Sequence, residues 1–453
     1  MVVLSRRIKA ALKNVRAEGS VMMPFSIYSY DEFKQERSLS HVADYKQERR
    51  LVRKIIEKVR KHGDKALFDY TFSLDQVELK ELAVSDEEYL EAFNKVDPEV
   101  MAALRQTGDN IKQFHLRQVR EDWWNTGEGW LVGQRVVPLR STGIYIPGGT
   151  AVYPSSVLMT VIPAKVAGVK NIFICTPPRH DGSVDPLVLA AARDNGVTAV
   201  FKVGGAQAVA AMAYGTETVP AVDKIVGPGN IYVTLAKKEV FGRVGIDMLA
   251  GPSEIVIVAD DSAEPDYVAA DLLSQAEHDP LSRPILVTNS RELAGSVVEE
   301  LTSQMEDLPR KDIATRSLYQ QGAIICVDNI DKAWDVVNDI APEHLELIIP
   351  EAWCFLDKIY NAGAVFIGPH TPEPLGDYWA GSSHVLPTGS AARYTSALGV
   401  PDFLKQIHVL CYNNKALSKA APQVAALART EGLEAHARAV LIRRRENEKT
   451  TKN

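Results

Sequence analysis

The chain has 453 residues, 46% hydrophobic and 24% charged, with 51 Lys and Arg against 58 Asp and Glu for a net charge of −7. At roughly 150 residues per domain this length predicts about three domains, or two large ones with appendages, and the apolar content excludes collagen-like, coiled-coil and disordered chains. The mild acidity argues against a nucleic-acid partner, which needs a basic face.

The first 20 residues are basic, with Ile8, Leu12 and Val15 on one helical stripe. They read as an organellar transit segment or as an extension ahead of alternative starts at Met22 and Met23. Residues 45–120 read as helices: Leu51, Ile55, Ile56, Val59 and Leu67 form an apolar stripe broken at Gly63, continued by Tyr89, Phe93, Met101, Leu104 and Ile111. The Trp- and Gly-bearing stretch 120–140 reads as strands joined by turns.

From residue 143 short apolar strands alternate with helices, the pattern of a parallel sheet. STGIYIPGG, NIFICTPP, TAVFKVGG and DKIVGPGN are strands ending in turns, separated by apolar helices. A second series follows, with strands EIVIVAD, RPILVTNS, GAIICVDN and NAGAVFIG and helices between them. The tail from about 400 reads as helical, interrupted at Pro422. No 20–50-residue repeat occurs, which excludes a solenoid. Cys175, Cys326, Cys354 and Cys411 form no C-x-x-C pair, so a reduced, cytoplasmic protein is expected, with Cys175 and Cys326 as small core residues. No window approaches 18 uninterrupted apolar residues, so no membrane span is expected.

Neither a Walker A sequence nor G-x-G-x-x-G occurs. PGG at 147–149, VGGAQA at 203–208 and GPGN at 227–230 each follow a predicted strand, at the carboxyl edge where parallel sheets bind ligands. Plain turn chemistry is the alternative. SQAEHDP puts Gln275 and His278 three apart at a helix end, where they share one face and suit one ion, or where the histidine simply meets the negative helix terminus. In APEHLELI, Glu343 and His344 stand side by side; they read as two bases with different tasks or as a surface turn. GDYWAGSSHVLPTGSAAR contains Asp377 and His384 in a Gly/Ser-rich loop, and RTEGLEAHARAV places Glu431 before a turn and His436 early in the last helix.

Together these segments resemble the histidinol dehydrogenase family, from about Tyr45 to the last helix. GQRVVPLRSTGIYIPGG, VGGAQAVAAMAYGT, VGPGNIYVTLAKKEVFG, DLLSQAEHDP, APEHLEL, GDYWAGSSHVLPT and EGLEAHARAV carry the likeness, in family order. The resemblance implies an α/β fold of two incomplete Rossmann-like domains with small helical N- and C-terminal segments, assembled as an intertwined homodimer. The expected division is 1–44 as an N-terminal segment, 45–144 with 254–398 as one domain, 145–253 as the other, and 399–453 as a dimerisation segment.

The resemblance further implies NAD contacts at Tyr145, Gln207 and Asn230, and zinc ligands at Gln275, His278, Asp377 and His436, the last from the partner subunit. Ser253, His384 and Glu431 match the family's substrate contacts, beside Gln275, His278, His344, Asp377 and His436. His344 would take the hydroxyl proton in a first oxidation, and Glu343 would activate water on the bound aldehyde before a second. One departure stands out: Ser382 and Ser383 replace residues that usually end in Asn ahead of the loop histidine. It bears on the substrate pocket or the loop, and leaves open a paralogue acting on another small polar primary alcohol. A catalytically silent binding protein is a third possibility, opposed by the retained Glu343–His344 pair.

Overall fold

The computed structural model describes residues 26–39, 45–148 and 152–444. The basic N-terminal stripe, the end of the PGG turn and the polar tail after Arg444 lie outside them. Among the described residues the strands are, in chain order, β1 (Ser26–Ser29), β2 (Trp123–Gly127), β3 (Trp130–Pro138), β4 (Ser141–Tyr145), β5 (Asn171–Thr176), β6 (Ala199–Lys202) and β7 (Lys224–Val226). They continue with β8 (Gly245–Ile246), β9 (Glu254–Ala259), β10 (Arg283–Thr288), β11 (Ala323–Cys326), β12 (His344–Ile348), β13 (Ala364–Ile367) and β14 (Leu404–Tyr412).

Two parallel sheets organise the chain, in the orders β1-β11-β10-β9-β12-β13 and β6-β5-β4-β7-β8. Both are buried on two faces, and this explains why their strands read as continuous apolar runs. Along β9 every residue is buried; Ile255 and Ile257 enter one core and Val256 and Val258 another, because successive side chains leave a strand on opposite faces. In β5, Ile172 and Ile174 face one core while Cys175 faces the other. This is the α/β fold with parallel sheets expected from the strand–helix rhythm.

The N-terminal helices lie on the five-stranded sheet. The helix Lys46–Tyr70 packs on Gly205–Tyr214 and Ile231–Val240, Asp86–Lys95 on Pro186–Asp194, and Pro98–Leu116 on Pro154–Val166. Residues 46–116 therefore cover the five-stranded sheet, and Thr107 and Asn110 also donate to the Tyr378 and Trp379 carbonyls within 254–398. The reason is the position of their apolar stripes: Val52, Ile55, Ile56, Val59 and Leu67 share a core with the helix after β6, and Ile111 shares one with Val157 and Ile162. Leu51, expected on that stripe, is exposed. Gly63, with φ at 51°, breaks the first helix at the expected place. β1, from the expected N-terminal segment, becomes an edge strand of the six-stranded sheet.

The tail also differs from its sequence reading. Residues 404–412 form β14, which pairs antiparallel along the whole of β3, from Leu404 opposite Pro138 to Tyr412 opposite Trp130. β3 already pairs β2 on its other side, so its second edge offers a backbone ladder that no local helical preference anticipates. Pro422 sits inside the helix Asn414–Thr430 without ending it. That helix and Glu434–Leu441 bury Ala425, Ala428 and Ala437 between them, and this packing outweighs the local cost of proline. The helix Lys311–Gln321, which the chain's patterning did not mark, packs beside Pro265–Ala276.

Candidate active site and metal centre

β9 and β12 are adjacent parallel strands inside the six-stranded sheet, with His344 opening β12 in register with Ile255. APEHLELI is therefore no surface turn: Glu343 is 6% exposed and His344 4%. Both side chains fold back on one residue at the start of β9. The main-chain N–H of Glu254 donates to Glu343 Oε2 at 2.9 Å, and the main-chain carbonyl of Glu254 lies 2.9 Å from His344 Nδ1. Gln275 Oε1 also lies 3.1 Å from that nitrogen. A carbonyl only accepts, so the ring proton is placed on Nδ1 and Nε2 is the basic nitrogen. Nε2 is buried with no hydrogen-bond partner, 3.7 Å from Glu373 Oε1.

Burial shifts both groups in the direction that favours their neutral forms. It lowers the His344 imidazole to about 4, so the ring is unprotonated at neutral pH. It raises the Glu343 carboxyl well above the usual range, helped by the nearby carboxylates Glu254, Asp377 and Glu373 and opposed by the Glu254 N–H.

The helix Pro265–Ala276 carries Gln275 in its last turn, fully buried, with Nε2 unpartnered. His278 follows just beyond its end. Opposite stands the short helix Glu373–Tyr378, formed inside a segment that reads as a loop. Its Glu373 and Asp377 are four apart and so share one face. Ligand atoms of His278, Glu373 and Asp377 all lie within 4.8 Å of one another. Burial, then the Asp377 charge, pushes Glu373 up to about 9. His384 Nδ1 lies 3.9 Å from Asp377 Oδ1, and its Nε2 lies 3.2 Å from the Ser156 hydroxyl on the helix that follows β4. The six-stranded sheet's site is thereby joined to the other sheet. Ser253 immediately precedes β9, its carbonyl accepting from Arg283 N–H at 2.9 Å.

The Gly-rich turns meet at the carboxyl edge of the five-stranded sheet. Tyr145, ending β4, accepts the Gly205 N–H on its hydroxyl at 3.0 Å. Gln207 is buried with Oε1 unpartnered, close to Gly205. Asn230 caps the helix Ile231–Val240, its Oδ1 accepting from Tyr232 and Val233 N–H. A cavity of about 650 Å³ opens over the ends of β4 and β5, bounded by Asp75, Pro147, Gly148, Pro177 and Arg179.

Some expected site residues are not brought together within the chain. Glu431 ends the helix Asn414–Thr430 and His436 lies on Glu434–Leu441; both are exposed, on a helical hairpin with its own small core. Ser383 is buried and its hydroxyl accepts the Val385 N–H at 3.2 Å, so this departure serves the loop's own backbone. Two contributors were missed. Glu373 carries a usable signal, its i, i+4 relation to Asp377. The orienting role of Glu254 carries none, since it acts through its main chain.

Comparison with known proteins gives the family of the chain. The family model described as histidinol dehydrogenase matches residues 38–444. The chain is 55% identical to the histidinol dehydrogenase of Moorella thermoacetica over 395 residues, 86% of this chain and 93% of that protein. It is 51% identical to that of Halalkalibacterium halodurans over 414 residues, 91% and 97% of the two chains. The crystal structure of histidinol dehydrogenase from Elizabethkingia anophelis superposes with a TM-score of 0.89 at 37% identity, covering 95% of this chain and all of that one. Across nearly its whole described length, then, the chain belongs to the histidinol dehydrogenase family.

Proposed function

We propose that this chain oxidises L-histidinol to L-histidine, a four-electron reaction in two NAD-dependent steps, as a zinc-loaded homodimer. The observation that carries the proposal is the placing of Glu343 and His344 by the two main-chain groups of Glu254, beside a cluster of metal-type side chains.

The residues present suit both groups. A histidine nitrogen, carboxylate oxygens and a buried, half-satisfied amide at Gln275 form a nitrogen and oxygen donor set of the kind zinc accepts. Gln275, His278 and Asp377 would hold the ion, with His436 of a second copy completing the set; an ion there supplies a Lewis acid that fixes the substrate's nitrogens. The sheet order β6-β5-β4-β7-β8 reverses between β4 and β7, the kind of switch point where Rossmann-like sheets bind dinucleotides. Tyr145, Gln207 and Asn230 would hold NAD there, and NAD when bound accepts a hydride in each step.

The chain's own residues do the rest. His344 Nε2, neutral and unpaired, takes the proton of the substrate hydroxyl in the first oxidation. The aldehyde stays enclosed between the two sheets, which protects a reactive amino aldehyde from side reactions. Glu343, whose carboxylate form an ion at the neighbouring site would favour, would then take a proton from the water that adds to the aldehyde, giving the hydrate that is oxidised to the carboxylate. Ser253, His384 and Glu431 of a second copy would orient the substrate. The exposed apolar side chains of the C-terminal hairpin, Leu427, Leu433 and Ile442, support a partner subunit.

A spectrophotometric assay of the zinc-loaded protein tests this. Two NADH per L-histidinol, with histidine as product, is expected. Turnover of another amino alcohol or a diol, with none of histidinol, would overturn it.

A further inference from the structure

The turn after β7 is held by a pair of charges that the chemistry above does not use. Lys237, on the helix Ile231–Val240, and Asp247, just after β8, form an ion pair with side chains 2% and 1% exposed. Both partners also hold one residue of the turn. Lys237 Nζ donates to the Gly227 carbonyl at 3.0 Å, and the Gly227 N–H donates to Asp247 Oδ2 at 2.8 Å.

Gly227 lies one residue past β7, beyond the strand ladder that satisfies Ile225 and Val226, so its polar groups need other partners. Its φ is 110°, and a Cβ there would stand 2.2 Å from the Tyr145 carbonyl oxygen. The ion pair thus presses Gly227 against the end of β4 and fixes the start of the Pro228-Gly229-Asn230 turn.

A buried ion pair is a poor device for stability alone. Removing two charges from water costs several kcal/mol per ion, and apolar replacements of similar volume are often neutral or better. What apolar side chains cannot do is hold an N–H and a carbonyl in fixed directions. We infer that Lys237 and Asp247 are positioning residues for the nucleotide: by clamping both polar groups of Gly227 they set the distance between the Tyr145 turn and the Asn230 turn into which the cofactor backbone fits. Neither residue touches the cofactor. The inference rests on the proposed placing of NAD at this edge.

The test compares the zinc-loaded wild-type protein with Lys237→Met, with the double variant Lys237→Met/Asp247→Leu, and with Asn230→Ala. NAD affinity is measured by calorimetry, together with the melting temperature and the KM for histidinol. Lys237→Met leaves a lone buried carboxylate and is expected to lower the melting temperature and weaken NAD about tenfold, a loss of about 1.4 kcal/mol. The KM for histidinol should stay within about twofold. The double variant should recover most of the melting temperature without recovering NAD affinity. If the single variant fails to fold, the double variant carries the comparison. Recovery of both properties in the double variant would make the pair purely structural and overturn the inference. Weakened NAD binding in Asn230→Ala with none in the pair variants also overturns it, leaving the nucleotide's placing intact. Unchanged affinity in all variants would remove that placing as well.

Discussion

Glu254 and His344 meet through main chain and ring: the Glu254 carbonyl lies 2.9 Å from Nδ1, while the N–H of the same residue donates to Glu343 Oε2. One residue at the head of β9 therefore holds two neighbouring side chains, each by a different main-chain group. His344 has its basic nitrogen free, and Glu343 has one carboxylate oxygen tethered and the other available.

The division of labour proposed for His344 and Glu343 predicts unlike variants. His344→Asn should slow the first oxidation by about 10²–10⁴-fold, the range for loss of a general base. Glu343→Gln should spare reduction of the aldehyde in the reverse direction while slowing the second oxidation. Stopped-flow traces of NADH formation from histidinol and from histidinal separate the two; equal failure at every step in both variants would contradict the assignment.

The proposed zinc site predicts a loss and a complementation. A chelator should abolish activity, and added zinc should restore it. His436→Asn and Asp377→Asn should each be inactive alone. If His436 reaches the partner's site, mixed and reassembled subunits form dimers with one intact site, returning about a quarter of wild-type activity. No recovery on mixing, with mixed dimers present by mass spectrometry, would place His436 outside the shared site.

Stability of the metal-free chain should fall with rising pH. Burial, then Asp377, raises Glu373 from 4.5 to about 9 in the folded state. Between those values the folded chain keeps a proton that the unfolded chain has released, so the stabilisation is full below 4.5 and is lost as pH rises through about 9. Urea midpoints in chelator from pH 6 to 9 should decline, and Glu373→Gln should flatten the decline. Zinc should oppose it, because a nearby cation favours the carboxylate. An equal slope in the variant would assign the loss to other groups.

Ser383→Ala should act on the loop more than on the substrate. It leaves the buried Val385 N–H unpaired, at a cost of about 1–3 kcal/mol. A lower melting temperature with the histidinol KM nearly unchanged is expected. A large KM change with no loss of stability would show that the serine pair shapes the pocket directly.

Much of this was legible in the sequence. The strands of both parallel sheets, β1, β8 and β12 apart, could be read from runs such as EIVIVAD and NIFICT, because a sheet covered on both faces needs uninterrupted apolar residues. Gln275 with His278, and Glu343 with His344, were visible as pairs because their partners are close in the chain. The helix Glu373–Tyr378 was hidden in a segment that reads as a loop, and β14 in a tail that reads as helical, since each forms only against neighbours distant in sequence.

What the sequence determined by itself is the list of side chains, the strand–helix rhythm and the family to which the chain belongs. Only the tertiary structure decided that the N-terminal helices cover the five-stranded sheet, that Glu373 stands beside His278 and Asp377, and that Glu254 holds Glu343 and His344 through its main chain. The physical reason is the same in each case. Apolar spacing along a chain records which face is buried but not what covers it, and a main-chain N–H or carbonyl, identical in every residue, leaves no trace in the sequence of the partner it finds.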